Sequence, residues 1–515
     1  MTQPSSPSAA DESIRPERPT QSGQPGGATS ATTNKWVVFA IIAIGVFMST
    51  VDSSIVNISL PTIASFFGVP LSGAIEWVVI VYLVVIAATL LTIGRLADMT
   101  GRKAIWATGL VIFTLGSALS GAAPTLGFLI AARGFQAVGG SLLFAVSAAM
   151  LTGAFPANER GRVLGMNALV VALGVSVGPT LGGFITQYLT WRWIFYVNVP
   201  LGIIGVIATL RLLHEPERRG RGRFDPAGAL LLTIGLAAIT LGLSFGQEWG
   251  WSSWRLIASL AIGAVALVAL VFVERIVRSP IVQLSLFRNR VFASANLSLA
   301  LSFLALFAVS FMMPFYLEQL RGFSLIESGL LLTPLPLTIA VFAPFSGRLA
   351  DRIGTRWLAA TGLAIACLGL VLISQLQANS SVGDIIWRLV VTGFGQALFQ
   401  SPNNSALMGS APGAAQGVAS GFLATGRVIG QSTSVALAGA IFTSLGGALA
   451  GAQLHHIYIG QAFRSYPPGF LAPMQQTFVN AFHVTFLVCA AVAVVGVFAS
   501  LVRGKEEIAA RARRV

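Results

Sequence analysis

Apolar residues along this chain come in runs of about 20, broken by short segments that carry the charges and the turn formers. Fourteen such runs lie near residues 36–59, 72–93, 104–122, 125–151, 162–185, 193–213, 227–245, 254–274, 291–316, 328–347, 357–375, 384–408, 417–446 and 480–502. Each is long enough to cross about 30 Å of hydrocarbon as a helix. Transmembrane strands would instead show segments of about ten residues with alternating polarity. The pattern predicts an all-α integral membrane protein with 14 transmembrane helices. Residues 1–34, rich in Ser, Pro, Gln and Gly, read as a disordered cytoplasmic tail without the pattern of a signal peptide.

The basic residues fix the expected orientation. With the N-terminus inside, 25 of the 32 Lys and Arg fall in inner segments. Four fall outside (Arg192, Arg255, Arg321, Arg464) and three within runs (Arg133, Arg388, Arg427). Omitting one span would invert every later loop and destroy this asymmetry, so both termini are expected in the cytoplasm. Trp249, Trp251 and Trp254 fall at an outer boundary, as an aromatic belt would. The outer stretch 447–479 reads as a loop long enough to lid a cavity or reach a periplasmic adaptor.

The halves repeat. Gly94-Arg95-Leu96-Ala97-Asp98 and Gly347-Arg348-Leu349-Ala350-Asp351 are identical pentapeptides, and Gly101 and Gly354 keep the same offset. Farther along, Gly139/Gly395, Pro156/Pro412, Gly161/Gly417, Gly165/Gly421 and Gly174/Gly430 pair at one shifted offset. The expected organisation is a tail (1–34), a six-helix bundle (35–213), linkers with two inserted helices (214–290), a second six-helix bundle (291–502) and a basic cytoplasmic tail (503–515). Repeated bundles about a midplane site are a transporter architecture.

Composition narrows the class. Hydrophobic residues make up 55% and charged residues 10% of the 515, with mean hydropathy +0.79. A soluble domain is about 25% charged. The net charge of +14 is spread over short loops, which fits membrane topology and gives no nucleic-acid partner. Two cysteines and four histidines at unrelated positions offer no metal site. A P-loop needs Gly-Lys-Ser/Thr, and the three lysines (Lys35, Lys103, Lys505) precede Trp, Ala and Glu. No nucleophile–base set appears either, so the expected protein is not an enzyme. Transport would be driven by an ion gradient or by the substrate itself, without a cofactor.

Several residues stand out on physical grounds. Asp52 lies mid-run, and an ionised Asp there costs about 2.5–3.5 kcal/mol on insertion scales. Ser49, Asp52 and Ser59 share one helix face. Arg133 lies at a similar depth, needs a partner, and shares a face with Gln136 and Gly140. Glu76, near the outer start of the second run, is a candidate second protonation site, with a plain surface acid as the alternative. Arg427 is a further intramembrane cation, while Arg388 has Asp384 one turn away. Phe47, Met48, Trp77, Tyr82, Phe311, Met312, Phe315, Tyr316, Phe399, Gln400, Asn403 and Asn404 are candidates for a cavity suited to lipophilic compounds, with Met48, Trp77, Tyr82, Tyr316, Gln400 and Asn403 foremost. Each could equally face lipid or core.

Four motifs carry a family resemblance. Gly94-Arg-Leu-Ala-Asp98-Met-Thr-Gly101-Arg102-Lys103 resembles the loop signature of the major facilitator superfamily. Leu129–Gly140 resembles its fourth-helix motif, and Gly174-Val-Ser-Val-Gly178-Pro179-Thr-Leu-Gly182-Gly183 the fifth-helix motif of its antiporters. Val51-Asp52 through Pro61 resembles the first-helix motif of the 14-span drug:proton antiporters of the EmrB/QacA type. The resemblance implies a major facilitator fold in the plasma (inner) membrane and proton-coupled export of drugs or other amphiphiles, with the protein a monomer. It supports proton-coupling roles for Asp52 and Arg133; Glu76 and Arg427 are the further proton-coupling candidates, with a surface acid and a structural pairing as their respective alternatives. Gly94, Asp98, Gly101, Arg102 and Asp351 would form a cytoplasmic gate, although Thr355 stands where the first copy has Arg102. Gly174, Gly178, Pro179, Gly182 and Gly183 would form a tightly packed antiporter helix. An exporter of an endogenous metabolite or lipid, and a transporter-like receptor or assembly subunit, are the alternative readings.

Overall fold

The computed structural model describes residues 34–69, 75–214, 224–250, 252–277, 280–282, 284–459 and 470–503. Both expected tails and Trp251 lie outside the described residues, apart from Asn34 and Arg503. Among the described residues the structure is helical throughout, without strands. The first bundle comprises α1 (Lys35–Phe67), α2 (Trp77–Thr100), α3 (Arg102–Gly121), α4 (Leu126–Ala154), α5 (Arg160–Tyr188) and α6 (Trp193–Leu212). The inserted pair is α7 (Pro226–Trp249) and α8 (Trp254–Ile276). The second bundle comprises α9 (Arg290–Phe315), α10 (Pro334–Ile353), α11 (Arg356–Ser374), α12 (Val382–Ser410), α13 (Gln416–Ser444) and α14 (Ala472–Leu501).

Helix starts follow their capping residues. The Asn34 side chain accepts from Trp36 N at 3.0 Å, and Ser381 caps α12 through Asp384 N at 3.1 Å. Asp225 caps α7, with Pro226 at its first position. Gly101 and Gly354 follow α2 and α10 with φ of 101° and 93°, a conformation only glycine adopts without strain. The outward faces are as apolar as the buried ones. Ile203, Ile204, Ile207 and Leu210 on α6, and Ile262, Val265 and Val268 on α8, are exposed, as lipid contact demands.

Among the described residues, thirteen helices are individually long and apolar enough to span. α13 reaches that standard only together with the short helix Gly447–Ile459, from which it is bent by 80°. It is polar because it faces protein: Gly417, Ser420, Thr425, Gly430 and Ser434 are buried. The outer stretch expected as a loop is corrected here. Residues 447–459 are helical, and α14 begins at Ala472, eight residues before the expected 480. Amphipathic turns at membrane ends lack the long apolar run that marks a span.

The inserted pair docks through α7, which packs on α2 and α13. Phe245 meets Trp77 with ring centroids 5.0 Å apart at one end. At the other, the buried Glu274 carboxylate accepts from the amides of Ile281 and Val282 at 3.1 and 3.0 Å.

Candidate functional site

Three constellations are assembled from the bundle helices. The first is a buried polar knot inside the first bundle. Asp52 and Arg133, 0% and 1% exposed, form a salt bridge of 2.6 Å between α1 and α4. Asp52 Oδ1 also accepts from Gln136 Nε2 and Asn198 Nδ2, both at 2.9 Å. Arg133 donates to Gln136 Oε1 at 2.7 Å and, from Nε, to the Val78 carbonyl at 3.2 Å. Its guanidinium lies 4.3 Å from the Tyr82 ring centroid and 5.6 Å from that of Phe195. Ser117 Oγ accepts from Gln136 and Asn198 at 2.7 and 3.2 Å. Five helices therefore converge on one ion pair. A buried charge survives only when paired and hydrogen-bonded, and this knot meets both conditions.

Spacing alone left Ser117 and Asn198 unseen. A lone Ser or Asn in an apolar run gives no periodic signal. Glu76 directly precedes α2, and its carbonyl receives the Val79 and Ile80 amides. The carboxylate hydrogen bonds of Asp52 go to α4 and α6.

The second constellation joins the two bundles, and it appears twice. Asp98, on α2, accepts from the amides of Gly417 and Val418 at 2.9 and 3.2 Å, in the first turn of α13. Asp351, on α10, accepts from Gly161 and Arg162 at 2.9 and 3.0 Å, in the first turn of α5. A carboxylate at a helix N-terminus satisfies orphan amides and meets the positive end of the dipole. Each contact joins one bundle to the other. Arg102 reinforces the first copy, bonding Asp98 (3.4 Å), the Gly413 carbonyl (3.3 Å) and the Ala149 carbonyl (3.0 Å). The second copy makes the same cap with Thr355 at the equivalent position.

Glycines allow these crossings. A Cβ on Gly94 would lie 2.4 Å from the Gly417 carbonyl oxygen, and one on Gly347 2.1 Å from that of Gly161. In the fifth-helix motif, a Cβ on Gly174 would meet Thr50 Oγ1 at 2.1 Å, and one on Gly178 would meet Ser54 Oγ at 1.9 Å. That face of α5 is fitted to α1. Gly182 is buried, whereas a Cβ on Gly183 would meet nothing within 4 Å. Tight packing therefore does not extend to Gly183. The Pro179 side chain lies outside the described residues.

The third constellation is a small cavity between the bundles, about 20 Å³ in volume, room for about one water. α1, α4 and α5 line it from one side, α12 and α13 from the other. Its polar groups are Ser147, Asn167, Asn404, Ser420 and Arg427. Val46, Phe144 and Leu423 are among its apolar walls. Arg427, expected with the proton-coupling residues, is here rather than in the Asp52 knot.

The foremost cavity candidates lie elsewhere. Met48 is packed in the first bundle's core, and Tyr82 lies under Arg133. Tyr316 is buried in the second bundle, with its hydroxyl donating to the Gln377 carbonyl at 2.7 Å. Trp77 packs on Phe245. Asn403 bonds Ser298 and Arg503. Gln400 is also absent from the cavity wall, and of the wider set only Asn404 reaches it. Aromatic and amide residues in an apolar helix carry no mark of which face they occupy. Among the described residues no group of three or more His, Cys, Asp or Glu could hold a metal.

Comparison with known proteins gives a consistent picture. The model of the family described as Major Facilitator Superfamily matches residues 42–435 and 337–513. The riboflavin transporter RibZ of Clostridioides difficile is 36% identical over 455 residues, 88% of this chain and 96% of the relative. The multidrug resistance protein Stp of Mycobacterium tuberculosis is 32% identical, covering 80% of this chain and 77% of its own. The crystal structure of the human organic anion transporter MFSD10 superposes with a TM-score of 0.61 over 89% of this chain and 99% of that one. At 14% identity that likeness shows the fold alone.

Proposed function

The chain belongs to the Major Facilitator Superfamily and is a multi-pass membrane transporter, not an enzyme; from that premise we propose that it exports drugs and other amphipathic compounds in exchange for protons. The observation that supports proton coupling is the Asp52–Arg133 pair, closed off from water and bonded across α1, α4 and α6. Protonating Asp52 removes the charge that holds Arg133 and loosens three helices together. Val46, on the cavity wall, lies six residues from Asp52 on α1, about 9 Å at 1.5 Å per residue. A change in the knot is thus carried to the cavity by α1 itself. In this reading the two carboxylate caps hold the cytoplasmic side closed, and their release opens that side. No cofactor enters this scheme, since the proton gradient supplies the energy.

The test is efflux from energised vesicles with and without an uncoupler, for wild type and Asp52→Asn. Efflux abolished by the uncoupler and lost in Asp52→Asn supports the scheme. Efflux that survives both refutes proton coupling through Asp52. A second reading, transport of an endogenous metabolite, is favoured by the likeness to RibZ, described as a riboflavin transporter. Riboflavin counterflow in the same vesicles separates the two.

A further inference from the structure

Resting on the transport reading above, we propose that the space between the bundles, closed in this state to a cavity of about one water, widens as the bundles part to take amphipathic organic anions, and that Arg427 is the side chain that recognises them. The argument is one of unmatched charge. Arg133, Arg388 and Arg102 each have a carboxylate partner: Asp52, Asp384 and Asp98. Arg427 has no ion pair among the described residues, and its Nε has no hydrogen-bond partner there. Its guanidinium lies 5.4 Å from the Phe303 ring centroid, a contact that supports a cation without neutralising it. No acidic residue lines the cavity.

The neighbours extend the pattern. Asn167 Oδ1, Asn404 Oδ1 and Ser420 Oγ line the same cavity and also lack hydrogen-bond partners among the described residues. Four polar groups from α5, α12 and α13 thus face one space with bonding capacity unspent. Interiors rarely leave polar groups so, and a ligand that satisfies several at once gains from each. A guanidinium presents a planar fork that matches the paired oxygens of a carboxylate. Val46, Phe144 and Leu423 offer an apolar wall for an attached ring. The fitting ligand is therefore a planar aromatic acid or phenol-bearing anion that also carries an O–H or N–H: its anionic oxygens meet Arg427 and the Ser420 hydroxyl, and its donor meets the acceptor oxygens of Asn167 and Asn404. An organic cation would meet Arg427 with like charge in a site that holds no acid, while the carboxylate of Asp52 is occupied within its own bundle.

The test uses two dyes on one ring scaffold, fluorescein as the anion and rhodamine 6G as the cation. Binding to the purified full-length transporter in detergent is read by fluorescence anisotropy, so it does not depend on flux. Fluorescein is expected to bind at least about tenfold more tightly than rhodamine 6G. Arg427→Gln should remove that preference, Arg427→Lys should fall between, and Asn404→Leu should weaken fluorescein by a smaller factor. A thermal unfolding curve for each variant separates loss of recognition from loss of fold. If Arg427→Gln does not fold, Arg427→Lys and Asn404→Leu decide. Equal or tighter rhodamine binding, or fluorescein binding unmoved in folded variants, overturns the inference. Proton-driven rhodamine efflux with no anion preference would overturn it while leaving the transport reading intact. Arg427-dependent fluorescein binding without flux of either dye would do the reverse.

Discussion

At the scale of single residues, the behaviour of Asp52 and Arg133 is set by mutual dependence. Each is the other's counter-charge at a buried site. Removing one partner of a buried pair costs about 3–5 kcal/mol, because the survivor is left uncompensated. Arg133→Leu and Asp52→Asn should each lower the thermal midpoint in detergent. The double variant should recover most of that loss while remaining inactive in proton-driven efflux. Recovery of stability without recovery of transport distinguishes coupling from scaffolding. This pair was half legible in the sequence: two intramembrane charges at matching depth must meet something. Asn198 and Ser117 were not legible, because one polar residue among apolar ones carries no periodicity and its partner depends on helix rotation.

At the scale of elements, α5 shows how a glycine motif divides into working and idle positions. Gly178 presses against Ser54, while Gly183 touches nothing on that side. Gly178→Val should force α5 away from α1, with reduced efflux and faster proton leak in proteoliposomes read by a pH-sensitive dye. Gly183→Ala should match wild type in both assays. The contrast is sharp because the two residues sit five apart in one helix and one motif. The motif was visible from composition, since small residues at repeated spacing permit close approach. Which glycines are pressed was not visible, because that depends on where α1 crosses.

At the scale of the whole molecule, the two carboxylate caps relate the bundles by the internal repeat. The all-helical membrane fold and its 13 to 14 spans were legible because length, charge bias and repetition are written in one dimension. The cavity was not, because its wall is built from residues of both halves whose register appears only after packing. The caps join helices of opposite bundles through charge and backbone amides, worth about 0.3–2 kcal/mol each. Asp98→Asn and Asp351→Asn should each shift the equilibrium toward the cytoplasm-open state. The measurement is maleimide labelling of Ser147→Cys from the cytoplasmic face, in a background with Cys367 and Cys489 replaced by Ala. Labelling should rise by about fivefold for each kcal/mol lost. The two effects should combine nearly as a product if the caps act independently. Arg102→Ala should act at the first copy alone, through its bonds to Asp98 and to the Gly413 and Ala149 carbonyls, since the second copy has Thr355 at that position.

The polar character of α13 also bears on how the chain is made. A span that carries Arg427 at depth and reaches spanning hydropathy only with the bent segment beyond it is a poor substrate for one-by-one insertion. Its entry into the bilayer must draw on helices already in place, with α2 and α9 offering the protein surface it packs against. Assembly of the second bundle is then expected to be ordered, with α13 entering after the helices it packs against. Replacing Arg427 by Leu should shorten the lifetime of partly inserted chains in a membrane-insertion assay, even as it removes the cation from the cavity.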